Sequence, residues 1–564
     1  MRHRNYTRLL ALAALAWCLP GLTDCAGGCN SCNPPTTSWQ MWRSDQFRSA
    51  TQLFETTLND PNSVSTLHAA WTFTNGGPEG FRGSPIVFND GTVFIGDSNG
   101  YFYALAGNDG HKLWQYPAQG NPGLTQKFDP PPFSNPSAWG IASSAAFAVI
   151  GSTRAVIFGA PDQSSGSHLG DGHLFALNMG TGALIWESPP IAMLTGLTPD
   201  ITSESHQQIG YSSPLVFNNL VYIGIADHED NPIQQGKLIA VNLADGSINS
   251  TFSFNATPTR GGGIWGSAAA WNTDVFVTTG NTRCWSGGTC QSEPTPNYGL
   301  SMLRLNQNSG AVIWQHQPVP YAFDNDPDWA SGPAIMYSAD CGPAVVSTQK
   351  DGWTWAVQAG NGTPGPPSVM WAFPPGPWSS GGFKPGDGTS MLHWDYDYKR
   401  PGATWGDVYV GVMGGWEVIP NVSMGYQELH ALNVCGPDSQ RVRWLKGIPS
   451  SSGHAGSGNP DEGTYPLGPP TVTVDGMVFI GTNQGHIFAV ADPTLKAALG
   501  NRCEDPGISN SQCTAHGRRL VPDPWMHDVP LPGAPNDGIF GEPVIANGRI
   551  YVATITGHVY MLEP

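Results

Sequence analysis

The sequence predicts an all-β protein, a closed ring of eight four-stranded antiparallel sheets. Short β-branched and aromatic strands recur along the chain, each followed by a turn. Several are trailed by an Ala…Gly…Trp segment of fixed spacing. Glycine and proline, 71 and 50 of 564 residues, are too abundant for a helical bundle or coiled coil. Disorder is equally excluded, because 21 Trp, 22 Phe and 16 Tyr supply too much apolar surface. Length alone suggests about three or four domains, but a repeat fold overrides that prior. The net charge of −18 argues against a phosphate backbone as partner.

The repeating strand is visible as Val93-Phe94-Ile95-Gly96, Val156-Ile157-Phe158-Gly159, Val221-Tyr222-Ile223-Gly224 and Val275-Phe276-Val277. Ala344-Val345-Val346, Val408-Tyr409-Val410-Gly411, Val478-Phe479-Ile480-Gly481 and Tyr551-Val552-Ala553 complete the series, at spacings of roughly 54 to 73 residues. Such spacings leave room for loop insertions beyond a four-stranded unit. The first unit is the clearest. Pro85-Ile86-Val87-Phe88, Val93 to Gly96 and Tyr101 to Leu105 read as antiparallel strands joined by Asn89-Asp90-Gly91 and Ser98-Asn99-Gly100. These turns supply the positive-φ positions that tight hairpins need. Ala104, Gly110 and Trp114 share their spacing with Ala176, Gly182 and Trp186. Gly310 and Trp314 repeat its second half, and Trp371 and Trp444 end longer versions. The small residue admits neighbouring backbone, glycine makes the turn, and the indole spans to the next sheet. The last unit, from Glu542 to Pro564, stops after three strands, so Ala70-Trp71-Thr72-Phe73 is expected to supply the fourth and close the ring. Residues 38–564 are then one domain, and the Gly-, Pro- and Ser-rich stretch from Phe373 to Gly388 is a rim loop.

Residues 1–27 read as an export leader, with Arg2, Arg4 and Arg8 ahead of the apolar stretch from Leu9 to Leu19. Cys25, after Leu22-Thr23-Asp24, leaves a lipoprotein signal as the alternative. A Cys-containing tail, 28–37, follows. Beyond Cys18 and Cys25, eight cysteines remain, an even number suited to disulfides in an oxidising compartment. Cys284 with Cys290 and Cys503 with Cys513 could close loops, and Cys29 with Cys32 and Cys341 with Cys435 are further pairings. The expected location is the periplasm or the exterior.

With these docking segments in view, the chain resembles the quinoprotein family of eight-bladed β-propellers that bind pyrroloquinoline quinone, PQQ, and within it the polyvinyl-alcohol dehydrogenase-like branch. Four segments resemble that family's site, in its order. Gly261-Gly262-Gly263-Ile264-Trp265-Gly266 resembles the segment whose indole underlies the quinone, with Gly262 letting the cofactor approach the backbone. Thr279-Gly280-Asn281 resembles the strand end whose Asn ligates calcium. Asp326-Pro327-Asp328-Trp329-Ala330 resembles the segment that carries the catalytic base, here Asp328, which also faces the metal. Gln349-Lys350-Asp351-Gly352 resembles the segment whose Lys bonds the quinone oxygens. Upstream, Glu229 falls where the family has a calcium-ligating Glu, with Asp227 as its rival.

The resemblance implies a calcium-assisted alcohol dehydrogenase that passes hydride to the quinone. Calcium takes hard oxygen ligands and polarises a carbonyl. A carboxylate removes the alcohol proton, and Lys350 faces negative charge on the quinone oxygens. The family's Arg near the start of the second unit has no counterpart in Trp139-Gly140-Ile141-Ala142-Ser143-Ser144, so Arg82 or Arg260 is expected to replace it. Ala330 stands where lanthanide-using relatives carry Asp, which favours calcium, and Trp394-Asp395-Tyr396-Asp397 lies out of order for that pattern. The chain contains no Cys-x-x-Cys-His haem motif, so a separate acceptor such as a cytochrome c is expected, with a small or polymeric alcohol as substrate. The alternative from another class is a cofactor-free propeller acting as a binding or assembly scaffold.

Overall fold

Every β-branched run singled out above lies in a strand. The structure is a computed structural model, described over residues 38–127, 138–163, 170–192, 209–226, 233–282, 295–319, 328–329, 331–338, 341–349, 353–360, 367–373, 396–398, 407–412, 427–435, 442–448, 468–473, 476–491, 525–533 and 537–564. The first unit folds as Ile86–Val87, Val93–Gly96, Phe102–Leu105 and Lys112–Tyr116, hydrogen-bonded in that order. Gly91 and Gly100 turn its hairpins at φ of +84° and +83°, conformations that L side chains resist. The same order recurs over residues 146–187, 215–255, 269–316, 334–373 and 396–448, the second to sixth sheets below.

The ends of the domain meet in a closing sheet. His68–Thr74 pairs antiparallel with His558–Glu563, setting Trp71 opposite Met561 and Phe73 opposite Val559. The expected closure is therefore observed. The count of eight four-stranded blades needs correction. Among the described residues seven sheets have four antiparallel strands, whereas the sheet of residues 471–530 has five. It is widened because Thr51–Gln52 pairs in parallel with Thr471–Thr473.

The tryptophans dock neighbouring sheets as their spacing predicts. Trp71 Nε1 donates to Gly107 O at 3.2 Å, Trp114 to Met179 O at 3.1 Å, and Trp186 to Leu243 O at 3.0 Å. Trp371 donates to Val434 O at 2.7 Å. Glycine is required opposite Trp71, Trp114 and Trp186: a Cβ on Gly110, Gly182 or Gly246 would sit 2.5, 2.7 or 2.5 Å from the facing ring. The Trp314 seam differs. Its cross-strand partner is Arg304 in place of alanine, buried in an ion pair with Asp274 (Nε to Oδ2, 2.8 Å). Apolar side chains fill the other seams, as where Phe102 stacks on Phe158 with centroids 4.2 Å apart.

First strands of successive sheets pack against one another around the channel. Their loops are sewn together by one repeated bond. Glu542 N donates to Ser84 Oγ (2.7 Å), Ser84 N to Ser144 Oγ (2.8 Å), Ser144 N to Ser213 Oγ (3.0 Å), and Ser213 N to Ser267 Oγ (2.9 Å). All five residues are buried.

Inside this ring runs a hoop of residues 38–52, for which sequence reading assigned no role. Trp39 exchanges backbone hydrogen bonds with Val87, and Gln40 O accepts from Phe147 N. Gln46, Phe47 and Ala50 carbonyls then accept from Ala270, Ile335 and Val472 at 2.8, 2.8 and 3.1 Å. Gln52 Nε2 ends the circuit on Ile545 O at 3.0 Å. Unpaired inner edges are thereby given partners. Arg48, 1% exposed, donates from Nε to Ala268 O (2.7 Å) and from Nη2 to Pro214 O (3.3 Å). It joins the third sheet to the fourth.

Cys341 and Cys435 form a disulfide between the fifth and sixth sheets, at the seam that Trp371 docks. The pairs Cys29–Cys32, Cys284–Cys290 and Cys503–Cys513 lie outside the described residues, as do the leader, the tail and Trp394. Among the described residues no helix is long and apolar enough to cross a membrane.

The docking account makes a direct test available. Trp186 is 7% exposed and Leu184, on the same strand, is 44% exposed. Trp186→Ala is expected to lower unfolding free energy by about 3–5 kcal/mol, and Leu184→Ala to change it by about 0.5 kcal/mol or less, in urea titrations followed by circular dichroism.

Candidate active site

Each sheet shares one topology, so the loops that precede the first strands lie at one end of the channel. The loop before the fourth sheet is held from both sides. Ile264 N donates to Ile225 O at 3.0 Å, tying it to the end of a third-sheet strand. Gly262 N donates to Asn281 O and Gly280 N to Gly263 O, both at 2.7 Å, tying it to the Thr279-Gly280-Asn281 strand end. Gly262 adopts φ of +73°, and a Cβ there would sit 2.4 Å from the Ala256 methyl. The loop's own turn therefore calls for glycine at this position.

Trp265 projects from this loop, half-buried, and its Nε1 donates to Asp328 Oδ2 at 3.0 Å. Asp328 is 3% exposed and belongs to the loop before the fifth sheet. A Cβ on Gly280 would lie 3.5 Å from Asp328 Oδ2, so the carboxylate stands beside the segment that carries the buried Asn281. Trp265, Asp328 and the 279–281 segment, separated by up to 63 residues of chain, are brought to one place.

The surroundings of Trp329, the residue after Asp328, are aromatic. Trp329 bridges antiparallel to Gln349, whose Oε1 accepts from Trp355 Nε1 at 2.9 Å. His316 meets Trp355 edge-on at 4.8 Å between centroids and Trp329 at 6.5 Å. Burial pushes the His316 imidazole down to about 4, so it is neutral through the physiological range.

Arg260 immediately precedes Gly261 and is half-buried, its carbonyl accepting from Thr257 Oγ1. Arg82, also half-buried, lies two residues before Ser84, as Trp265 lies two before Ser267. Lys350, Glu229 and Asp227 lie outside the described residues. Their flanks do not. Gln349 pairs with Trp329, next to Asp328, and Ala226 stands 3.2 Å from where a Gly263 Cβ would be. Among the described residues no cluster of three His, Cys, Asp or Glu side chains forms a metal centre.

Sequence reading missed His316, Gln349 and the hydroxyl seam. The seam had a signal: Ser84-Pro85, Ser144-Ala145, Ser213-Pro214, Ser267-Ala268 and Glu542-Pro543 each open a first strand.

A group whose folded value is lowered stabilises the fold above its unfolded value and loses that contribution as pH falls. For His316 the window runs from 6.5 down to about 4. Wild-type protein is expected to lose stability across that window, by at most on the order of 3 kcal/mol. His316→Phe should remove that extra slope in denaturant titrations at successive pH values.

Comparison with known proteins places residues 39–379 under the family model described as PQQ: glucose/ethanol/alcohol dehydrogenase, beta-propeller domain. Among solved structures the chain is similar to the quinohemoprotein alcohol dehydrogenase from Comamonas testosteroni. They share 17% identity at a TM-score of 0.59, over 93% of this chain and 80% of that one. The quinohemoprotein alcohol dehydrogenase ADHIIG from Pseudomonas putida HK5 follows with 15% identity, TM-score 0.57 and the same coverages. A europium-containing methanol dehydrogenase shares 15% identity at TM-score 0.55, over 94% of this chain and 98% of that one. These likenesses establish the fold. No curated protein sequence matches the chain.

Proposed function

The chain belongs to the family of PQQ-dependent glucose/ethanol/alcohol dehydrogenase propellers, and from that premise we propose that it is an exported, calcium-assisted alcohol dehydrogenase. The observation that carries the reading is the buried Asp328 carboxylate, hydrogen-bonded to the Trp265 indole and set beside the 279–281 segment.

The residues fit a planar quinone. Gly263 and Gly280 keep side-chain bulk away from Ala226 and from Asp328 Oδ2, which leaves a cradle that Cβ atoms would fill. Trp265 would lie under the quinone face, and Lys350 would meet its oxygens. Arg82 or Arg260 would hold its carboxylates. Glu229, Asn281 and Asp328 would supply hard oxygen ligands to calcium, with Asp227 as the alternative to Glu229. When bound, the quinone supplies the two-electron acceptor that amino acids lack.

The chain's own contribution is placement and proton transfer. Asp328 accepts the hydroxyl proton of the alcohol as its α-hydrogen leaves. The Trp265 N–H fixes one carboxylate oxygen, so the side chain holds its orientation. Asp328 is itself buried, and its sequence neighbour Trp329 packs edge-on against the neutral His316 imidazole. The acceptor that reoxidises the protein is separate, a cytochrome c or similar one-electron carrier. Residues 1–27 would direct export to the periplasm or beyond, with lipidation at Cys25 as the alternative.

Purified protein given PQQ and calcium chloride should reduce an artificial dye in the presence of ethanol. Asp328→Asn should lower kcat by about 10²–10⁴-fold while still taking up the quinone in a calorimetric titration. Wild-type protein that takes up no quinone would leave the scaffold reading in its place.

A further inference from the structure

The hydroxyl seam changes form at the junction the site occupies. Ser84, Ser144, Ser213 and Ser267 each stand two residues before a first strand and accept a backbone N–H from the neighbouring loop. The same position before Ala334–Ser338 is Gly332, which brings no hydroxyl. A Cβ there would lie 2.5 Å from Ser267 O and 3.0 Å from Ser267 N, so the two loops meet backbone against backbone. A cross-sheet bond is made here from a different place in the chain. Thr278, the last residue of the fourth-sheet strand Asp274–Thr278, donates from Oγ1 to Ser331 O at 2.9 Å.

Thr278 lies where the three segments that carry the site come together. It directly precedes Thr279-Gly280-Asn281. A Cβ on Gly266, the residue after Trp265, would lie 3.3 Å from Thr278 Oγ1 and 3.1 Å from Gly332 N. Ser331 follows Asp328 by three residues. On one side the Asp328 loop is fastened to its own sheet: Ser347 Oγ donates to Ser331 O at 2.9 Å, and Trp329 bridges to Gln349. On the other side Thr278 fastens it to the fourth sheet. The 279–281 segment is itself anchored, with Thr279 N donating to Ser301 O and Leu300 N to Gly280 O, both at 2.9 Å. Thr278, Ser331 and Ser347 are all buried, so water does not replace a lost hydroxyl bond cheaply.

We infer that Thr278 is a positioning residue: its hydroxyl sets the spacing of the Asp328 carboxylate from the Trp265 indole and from the 279–281 segment. The inference rests on the alcohol dehydrogenase reading above and adds a residue on which that site's geometry depends. Removing the hydroxyl leaves the Asp328 loop fastened to the fifth sheet and loosens it from the fourth. A misplacement on the order of 1 Å costs about 10²-fold in rate, which sets the size of effect to expect.

The test compares Thr278→Val, Thr278→Ser and Ser347→Ala in the full chain. The first readout needs no cofactor: the Trp265 indole N–H signal in a proton–nitrogen correlation spectrum, identified by its loss in Trp265→Phe. Its position with the hydrogen bond broken is taken from Asp328→Ala. The second readout is kcat for ethanol in dye reduction with PQQ and calcium. Thr278→Val should move the indole signal toward its Asp328→Ala position and lower kcat at least about tenfold. Thr278→Ser restores the donor, and Ser347→Ala removes a hydroxyl from the same carbonyl without touching the cross-sheet bond. Both should keep the wild-type signal and stay within about twofold in kcat. If Thr278→Val does not fold, Thr278→Cys, whose thiol is a weak donor, carries the same expectation. An indole signal or a kcat that stays at the wild-type value in the variant without the hydroxyl overturns the inference, as does an equal loss in Ser347→Ala. Wild-type protein that takes up no quinone overturns the enzyme reading instead, and the indole signal still decides whether Thr278 holds the carboxylate in place.

Discussion

The architecture depends on satisfying backbone groups where the sheets converge on the channel. First strands there have an inward edge, and an open edge buried in a ring would strand N–H and carbonyl groups. Two devices meet that demand. Seryl hydroxyls accept the N–H of the preceding loop, and the 38–52 hoop pairs with strands from one sheet after another. Because the same bonds set the height of each loop, they also decide which side chains share the mouth. Trp265 is held where it is by neighbours on both sides, Ile225 and Asn281. Site geometry is thus a consequence of seam geometry.

Much of the fold was legible in the sequence because the repeat forces it. A strand, a tight Gly turn and an indole at fixed spacing leave little choice, and Trp114, Trp186 and Trp371 reach the backbone carbonyls of the next sheet accordingly. Closure by residues 70–73 followed from a missing fourth strand and is seen in the Trp71–Met561 register. The hoop was illegible for an equally physical reason. It bonds largely through main-chain groups, so its side chains carry no strand periodicity, and its Thr51–Gln52 end turned a four-stranded sheet into a five-stranded one.

The site divides the same way. Trp265 and Asp328 could be proposed from local motifs, and their hydrogen bond joins them. Gly262 also serves the loop's own left-handed turn, where a Cβ would meet Ala256. His316 and Gln349 meet Trp329, the sequence neighbour of Asp328, from a different strand and a different hairpin, a relation that no local pattern encodes. Arg304 is the converse case. It breaks the docking motif at the alanine position, and the structure compensates with a buried partner, Asp274.

The central claim is that the indole, carboxylate and amide at the channel end converge on a planar guest and a hard cation. A crystal structure of the protein grown with PQQ and calcium addresses it most directly. The account predicts the quinone plane against the Trp265 ring, with calcium held at about 2.3–2.6 Å by oxygens that include those of Asn281 and Asp328. A quinone lodged elsewhere, or a channel end without one beside an unaltered Trp265–Asp328 contact, would contradict it.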